Sequence, residues 1–323
     1  MPRPLPLSLQ AWKNIDPFDR HSKPAWWMPW ETLRLFFESK RYVLFKAGGP
    51  DGELSVPRPT KNGYLSPAAE SFGLYGDRHN RDVAIKLVRK GDEDRSEYEI
   101  LHLLNSAPLR NHLDNATITA VEYIECNDWN FAVIPFCDGC DDVLFRNAAK
   151  ALDFTEQVVS GLCFLHDNRI AHSDISQENI LMNHRGKIPH SACLGVDESP
   201  DFRSTFAVQY LITDFDFSSY SYIGPNSGLR IDPLSTGRPH KAPESVRSRF
   251  DPYAVDVYQV TRFLYAWFHA IVPEMSGLLE LLQDMGYFDP RRRISMPAAL
   301  SRLRSICAGI QHREILYTPR KLD

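Results

Sequence analysis

The sequence contains few cysteines, and they are scattered. There are six among 323 residues, and the one close pair, Cys137 and Cys140, lacks a second pair or a matching pair of histidines. This usage argues against a disulfide-rich secreted scaffold and against a zinc site, and it predicts reduced thiols. The N-terminal stretch has no apolar core of signal-peptide length. We therefore expect a cytoplasmic or nuclear protein that is not secreted.

An excess of basic residues is also missing. Lys and Arg number 37 against 41 Asp and Glu, a net charge of −4, so nucleic-acid binding is not expected. The most apolar helical stretch begins at Val260, is too short to cross a bilayer and includes Arg262 and His269. The tryptophan-rich stretch after residue 24 lacks a basic face, which argues against a membrane-surface role. We expect neither a nucleic-acid partner nor a membrane partner.

Hydrophobic patterning predicts an α+β fold with two lobes. Strand patterns at 41–47, 82–88, ATITAVEYIEC and NFAVIPF surround one helical pattern at 92–105. From about residue 140 the pattern is helical, at 154–168, 252–271, about 274–286 and 296–310. We therefore expect a small β-rich lobe with one helix and a larger helical lobe, with a ligand site in the cleft between them. The predicted boundaries are an N-terminal extension at 1–40, the small lobe at 41–138, the large lobe at 139–312 and a C-terminal tail at 313–323.

The stretch IAHSDISQENILM sets three polar residues, His172, Asp174 and Asn179, between apolar anchors. One interpretation is an ordinary turn, because Asp, Ser and Asn side chains hydrogen-bond their own backbone. The other is a catalytic loop in which Asp174 accepts a proton and Asn179 holds a metal ion. The loop by itself does not decide between them.

Other motifs in a fixed order favour the catalytic interpretation. In sequence order they are Val83-Ala84-Ile85-Lys86, Glu97, His172-x-Asp174-x-x-x-x-Asn179, Asp214-Phe215-Asp216 and Ala242-Pro243-Glu244. This set resembles the protein-kinase signature over about residues 70–310. The tryptophan-rich N-terminal segment and the RPHKAPE and DPRRR regions further resemble a fungal group of protein-kinase-domain proteins with divergent catalytic motifs. The implied fold is the bilobal protein-kinase fold, and the implied partners are ATP, Mg²⁺ and a protein substrate.

The resemblance implies a role for each matched residue. Lys86 holds the nucleotide phosphates, Glu97 holds Lys86, and Asp174 accepts the proton of the substrate hydroxyl. The implied magnesium ligands are Asn179, Asp214 and Asp216, although the last of these equally suits a side chain that faces water. The implied adenine and ribose contacts are Ala84, Ile134, Phe136, Cys137, Asp141 and Leu181. Core packing explains the apolar members of that set equally well.

Two further matches to the family are structural. Glu244 and Arg293 resemble a buried ion pair that anchors the activation segment, and Asp256 matches an aspartate that braces the catalytic loop from a helix. Their presence supports a protein kinase, because small-molecule phosphotransferases lack the segment that this ion pair anchors.

Several positions depart from the family pattern. Ser173 replaces the arginine before the catalytic aspartate, Ser176 replaces a lysine that acts on the transferred phosphate, and Asp216 replaces the glycine of D-F-G. Gly73 and Gly76 do not have the G-x-G-x-x-G spacing. The stretch at 185–205 is longer than a short hairpin and is expected to be an exposed insert.

Three functions remain open at this stage. The first is an ATP-dependent protein Ser/Thr kinase with reduced activity, supported by the retained catalytic residues. The second is a pseudokinase that binds or scaffolds, favoured by Ser176, Asp216 and the poor glycine loop. The third is a small-molecule phosphotransferase of the aminoglycoside or choline type, which tolerates D-x-D in place of D-F-G.

Overall fold

Helices form where apolar residues recur every three or four positions, and strands form where they alternate or run continuously. The computed structural model describes residues 5–13, 23–44, 46–47, 54–55, 72–76, 82–93, 96–143, 145, 147–184, 202–225, 227–233, 241–246, 248–268 and 277–309. Its helices are α1 (Leu9–Lys13), α2 (Lys23–Ser39), α3 (Ser96–Asn105), α4 (Ala148–Asp167), α5 (Pro252–Phe268), α6 (Leu278–Met285) and α7 (Met296–Gly309). Its strands are β1 (Val43–Leu44), β2 (Lys46–Ala47), β3 (Leu54–Ser55), β4 (Phe72–Gly76), β5 (Asp82–Lys90), β6 (Glu122–Cys126), β7 (Trp129–Pro135), β8 (Asp138–Gly139), β9 (Ile170–Ala171), β10 (Ile180–Met182), β11 (Tyr210–Ile212) and β12 (Ser219–Tyr220).

The chain forms two compact units. The first unit comprises Met1–Asn105, Ile118–Phe136 and Arg185–Lys187, and the second comprises Ser106–Thr117, Cys137–His184 and Ile188–Asp323. The expected assignment of residues 1–40 to a separate extension, and of the lobe boundary to residue 138, stays a prediction.

The first unit is built on an antiparallel sheet in the order β1-β4-β5-β7-β6. Its central strand β5 is buried from Val83 to Val88, as expected for a strand that is covered on both faces. The strand predicted over 41–47 is confirmed in part, because β1 and β2 both lie in this range. They belong to different sheets, since Val43 of β1 pairs with Gly76, whereas Lys46 of β2 pairs with Ser55.

The N-terminal helices contribute to the core of the first unit. The rings of Trp12 in α1 and Trp30 in α2 lie 5.3 Å apart, and the Trp12 ring lies 5.0 Å from that of Trp129. Phe37 of α2 packs edge-on against Phe131 at 5.2 Å. All five side chains are buried. The sequence prediction of a helix after residue 24 is thus confirmed, and two of its aromatic side chains, Trp30 and Phe37, are buried.

The second unit is organised around α4, which packs against α5 and α7. This helix begins at Ala148, earlier than the predicted residue 154, because the side chain of Asn147 accepts a hydrogen bond from Lys150 N and caps the N-terminus. A short sheet in the order β11-β10-β8 and the β12-β9 pair complete the unit. Among the helices of the described ranges, none has the length and apolarity to cross a membrane.

The predicted exposed insert at 185–205 is anchored near its C-terminal end. Residues 185–201 lie outside the described residues, but Arg203 is only 1% exposed. Its guanidinium donates to Tyr210 Oη (2.9 Å) and to the carbonyl oxygen of Cys140 (2.7 Å), and it stacks over the Phe145 ring at 3.9 Å. A guanidinium tolerates burial when its N–H groups have acceptors and its face has an aromatic partner. The expectation of exposure was therefore wrong at this position.

Candidate active site

Lys86 and Glu97 form a buried ion pair in the first unit. Lys86 lies on β5 opposite Ala132 of β7, and Glu97 lies in the first turn of α3, where a carboxylate is favoured by the helix dipole. Lys86 Nζ donates to Glu97 Oε1, and the two residues are 3% and 1% exposed. The contact between Glu97 and Lys86 that the kinase resemblance implies is therefore present. Burial limits screening of the pair by salt, and so keeps the lysine in one orientation.

The polar loop of the second unit is held by α5. The buried carboxylate of Asp256 accepts the backbone N–H groups of His172 (2.8 Å) and Ser173 (2.6 Å), and it lies 2.9 Å from His166 Nε2. The bracing role predicted for Asp256 is confirmed. Because the helix satisfies these backbone donors, the loop is fixed from inside the unit instead of by its own turn bonds alone.

Asp174 and Asn179 lie together within this loop. The side-chain amide of Asn179 donates to Asp174 Oδ2 (3.0 Å) and to the carbonyl oxygen of Asp174 (2.8 Å). Both residues are buried. The amide therefore fixes the direction in which the Asp174 carboxylate points.

The segment that carries Asp214 is tied to the same loop. Thr213 N donates to the carbonyl oxygen of Asn179 (3.0 Å), and the carbonyl oxygen of Thr213 accepts from His172 Nε2 (2.9 Å). Asp214 itself has φ of +65°, a left-handed conformation that is uncommon outside glycine. The next residue, Phe215, is fully buried against the His172 ring at 5.2 Å. The structure thus joins Asp174, Asn179 and the backbone of Thr213, the residue before Asp214, in one network.

The oxygen donors of this network suit a magnesium ion. Mg²⁺ prefers hard oxygen ligands, and Asn179, Asp214 and Asp216 offer one amide and two carboxylates. The amide nitrogen of Asn179 donates to Asp174, and only the amide oxygen of this side chain carries lone pairs that suit a cation. Asp216 is half-buried in the turn after Phe215. The residues present therefore fit the ion that the family implies.

The predicted adenine and ribose contacts divide between the two units. In the first unit Ala84 pairs directly with Ile134, and Phe136 N donates to the carbonyl oxygen of Asp82 (3.2 Å) just after β7. In the second unit Leu181 is half-buried opposite Gly139. The remaining two positions there are the half-buried Cys137 and the exposed Asp141. Their role in binding a nucleotide stays a prediction.

The glycines of the poor phosphate loop lie in β4. Gly73 pairs with Ile85 and Gly76 pairs with Asp82. Both are thus part of a regular antiparallel pairing, and residues 77–81 of the connection lie outside the described residues.

Glu244 and Arg293 form the predicted ion pair in the second unit. Arg293 donates through both terminal nitrogens to the Glu244 carboxylate, with Nη2 at 3.0 Å from Oε2. It also donates to the carbonyl oxygens of Tyr287 (2.7 Å) and Ala254 (2.9 Å). The guanidinium therefore joins three separate stretches of chain.

Gln259 belongs to the site and was not identified from the sequence. Its Oε1 accepts from Ile175 N (3.0 Å), and its Nε2 donates to the carbonyl oxygen of Ser173 (2.9 Å). Gln259 follows Asp256 by three positions, so the two share one face of α5. This spacing could have identified Gln259 from the sequence, because two polar residues on an otherwise apolar helix face need hydrogen-bond partners when they are buried.

Comparison with known proteins identifies the family. A sequence model of the family described as "Protein kinase domain" matches residues 69–277, more than half of the chain. The chain belongs to the protein kinase superfamily. Its similarity to individual kinases is low and covers only part of each. Human NUAK family SNF1-like kinase 2 is 24% identical over 246 residues, covering 71% of this chain and 33% of that protein.

Two further relatives give the same result. The serine/threonine-protein kinase ULK3 of Xenopus laevis is 26% identical over 225 residues, covering 67% of this chain and 42% of that protein. The serine/threonine-protein kinase PrkC of Bacillus subtilis is 30% identical over 157 residues, covering 46% of this chain and 22% of that protein. The matched region thus spans less than half the length of each of these relatives. The kinase superfamily and its α+β fold, both expected from the sequence, are confirmed.

Proposed function

We propose that this chain is an ATP- and Mg²⁺-dependent kinase that transfers the γ-phosphate to a Ser or Thr hydroxyl of a protein, at a reduced rate. The observation that carries the proposal is the orientation of Asp174, which is buried and held by the Asn179 amide at 3.0 Å. A general base must be presented in one direction to accept a proton from a bound hydroxyl.

In the proposed reaction the substrate hydroxyl oxygen attacks the γ-phosphorus, and the bond to the β,γ-bridging oxygen breaks to release ADP. The hydroxyl proton passes to Asp174. Lys86, oriented by Glu97, would bind the nucleotide phosphates. When bound, Mg²⁺ neutralises charge on the phosphate oxygens, and Asn179, Asp214 and Asp216 are its proposed ligands.

The remaining proposed nucleotide contacts are those that the kinase resemblance implies. Ala84, Ile134 and Leu181 are the proposed apolar contacts of the adenine. The backbone of Phe136 and Cys137 would bind the adenine edge, and Asp141 the ribose. The described cysteines are free thiols, which supports a reducing compartment such as the cytoplasm or nucleus.

A reduced rate is proposed because a cation is missing. Ser176 stands where the family has lysine, and its buried hydroxyl has no hydrogen-bond partner among the residues that the structure describes. A hydroxyl dipole stabilises a transferring phosphoryl group less than an ammonium does. This same feature favours the second candidate function, a pseudokinase that binds a partner with little turnover.

A small-molecule phosphotransferase is the third candidate, and the Glu244–Arg293 pair argues against it. That pair is bidentate and is supported by carbonyl oxygens on two other stretches. Such an anchor is expected in a chain that docks a protein substrate.

A nucleotide titration separates the first two functions. ATP with Mg²⁺ at a hundredfold excess over its dissociation constant stabilises the fold by about 2.7 kcal/mol, which thermal unfolding detects. No shift at millimolar ATP would leave the pseudokinase as the better assignment. Mg²⁺ alone and ATP with EDTA are the controls, because they separate nucleotide binding from non-specific ion effects.

Phosphate transfer from labelled ATP to a generic basic protein then tests whether Asp174 is the general base. Asp174→Asn keeps the size and the hydrogen bond to Asn179 but removes the basic carboxylate, and we expect a loss of about 10²–10⁴ in rate. Asp153→Asn, an exposed position on α4, is the matched control and keeps the wild-type rate. An unchanged rate in Asp174→Asn would remove Asp174 from the proposed role.

A further inference from the structure

Glu97 contacts a second lysine that the kinase pattern does not include. Lys13, the last residue of α1, places its Nζ 3.8 Å from Glu97 Oε2. Lys86 binds the other oxygen, Oε1, of the same carboxylate. The Lys13 side chain is 11% exposed and that of Glu97 is 2% exposed. The contact is therefore shielded from water and salt, unlike a surface ion pair.

Lys13 is delivered to this position by a firmly attached helix. Leu9 N donates to Glu93 Oε2 (2.8 Å), and Lys90 Nζ donates to the carbonyl oxygen of Leu7 (2.5 Å). Trp12, adjacent to Lys13, is fully buried. Three independent contacts thus fix α1 on the first unit, and the approach of Lys13 to Glu97 follows from that docking.

The two lysines support each other and do not compete. Each uses a different oxygen of Glu97, so neither must leave for the other to bind. A Lys86–Glu97 pair alone has no net charge, whereas the triad of Lys13, Lys86 and Glu97 carries a charge of +1. An anionic phosphate chain near Lys86 is bound more strongly when the carboxylate behind the lysine is already neutralised.

We propose that Lys13 is a positioning residue for phosphate binding. It pairs with Glu97 Oε2, whereas Lys86 pairs with Oε1, and its charge offsets that of the carboxylate beside Lys86. The part of this proposal that concerns ATP rests on the proposed kinase function. The N-terminal segment would then serve the reaction through α1 and not only the stability of the core.

The contact itself is tested without nucleotide by a double-mutant cycle on thermal unfolding. We expect Lys13→Met to lower the unfolding midpoint by about 2 °C in the wild-type background and to have no effect in Glu97→Gln. Equal losses in both backgrounds would show that Lys13 does not act on Glu97, and the proposal would be overturned. If Glu97→Gln does not fold, Glu97→Asp takes its place in the cycle, because its shorter side chain also withdraws from Lys13.

Nucleotide kinetics test the consequence for phosphate binding. We expect Lys13→Met to raise the KM for ATP about fivefold with a smaller change in kcat, and Lys13→Arg to restore it. Lys90→Met is the matched control, because Lys90 anchors α1 through Leu7 without contacting Glu97. If Lys90→Met raises the KM equally, docking of α1 explains the effect, and the charge of Lys13 does not.

The proposed function and the proposed role of Lys13 can be contradicted independently of each other. If the wild-type chain shows no response to ATP, the proposed function fails, while the unfolding cycle still decides whether Lys13 holds Glu97. If ATP stabilises the wild-type chain and Lys13→Met equally, the proposed function stands and the role of Lys13 in phosphate binding is overturned.

Discussion

The carboxylate of Asp256 accepts a 2.6 Å hydrogen bond from the backbone N–H of Ser173. Ser173 adopts a left-handed conformation with φ of +65°. Such a backbone costs about 1–3 kcal/mol outside glycine and persists only where its surroundings enforce it. Asp256 and Gln259, both on α5, supply that enforcement and present Asp174, the next residue, in its buried position.

Asp256→Asn is expected to destabilise the second unit by about 1–3 kcal/mol. The asparagine amide keeps one acceptor oxygen but turns an NH₂ group toward buried N–H donors, which leaves one of them unsatisfied. Denaturant unfolding measures the change. Asp251→Asn, at the start of the same helix, is the control and stays within a few tenths of a kcal/mol, because asparagine caps helices as well as aspartate. Equal losses in both variants would contradict the bracing role.

Arg293→Lys tests whether geometry or charge matters at the Glu244 pair. A lysine keeps the charge but cannot make two parallel bonds to Glu244 and also reach the carbonyl oxygens of Tyr287 and Ala254. We expect a loss of about 2–4 kcal/mol in the free energy of unfolding, within the range for breaking a buried pair. Arg291→Lys, an exposed neighbour, provides the comparison and has little effect. A stable Arg293→Lys protein would show that charge alone suffices.

The resemblance to the protein-kinase signature implied two of the contacts, Lys86 with Glu97 and Glu244 with Arg293. The hydrogen bond between Asn179 and Asp174 was not predicted, although both residues were identified as candidates. The contact of Lys13 with Glu97 could not be predicted in this way. It depends on where α1 docks, and docking is decided by the shape of an aromatic core instead of by a local pattern.

Arg203 illustrates the same limit. A polar stretch containing Arg203 reads as solvent-exposed, because arginine is rarely buried without partners. The structure supplies the partners from Tyr210, Cys140 and Phe145, which are distant in sequence or unremarkable in type. Burial of a charged residue is thus a property of the assembled unit and not of the segment.

Trp12→Ala is expected to cost about 3–5 kcal/mol, because it leaves a large cavity among Trp30, Trp129 and Phe131. Leu35→Ala, an exposed position on α2, is the control and changes stability by less than about 0.5 kcal/mol. Thermal unfolding provides the measurement.

A chain that begins at Arg41 should aggregate, since it exposes Trp129 and Phe131. Wild-type stability of that shortened chain would show that the N-terminal helices are dispensable.

Asp216→Gly is expected to retain phosphate transfer at saturating Mg²⁺ and to need more Mg²⁺ for half-maximal rate, because it removes one of the three proposed ligands. The left-handed backbone in this segment is at Asp214, so position 216 does not need the conformational freedom of glycine, and glycine is the usual family residue there. Initial rates at several Mg²⁺ concentrations measure the effect. An unchanged Mg²⁺ dependence would remove Asp216 from the proposed ligands.

The raised pKa of the Cys163 thiol is expected to make the folded chain less stable at alkaline pH. Burial on α4, with a smaller contribution from Asp167, raises the pKa of its thiol to about 12 from a model-compound value of 9.0. The unfolded chain therefore loses this proton before the folded chain does, and stability falls as the pH rises from about 9 to about 12. At pH 10 the ionisation of this thiol is expected to lower the free energy of unfolding by about 1.4 kcal/mol, whereas at pH 7.5 its effect is negligible.

Cys163→Ala isolates this contribution. The variant lacks the thiol, so its free energy of unfolding should fall between pH 7.5 and pH 10 by about 1.4 kcal/mol less than that of the wild-type chain. Tyr210, whose pKa burial raises to about 12, acts in both proteins and cancels in the comparison. Urea unfolding at the two pH values gives the four free energies required. Parallel losses in both proteins would mean that the Cys163 thiol ionises as readily in the folded chain as in the unfolded one.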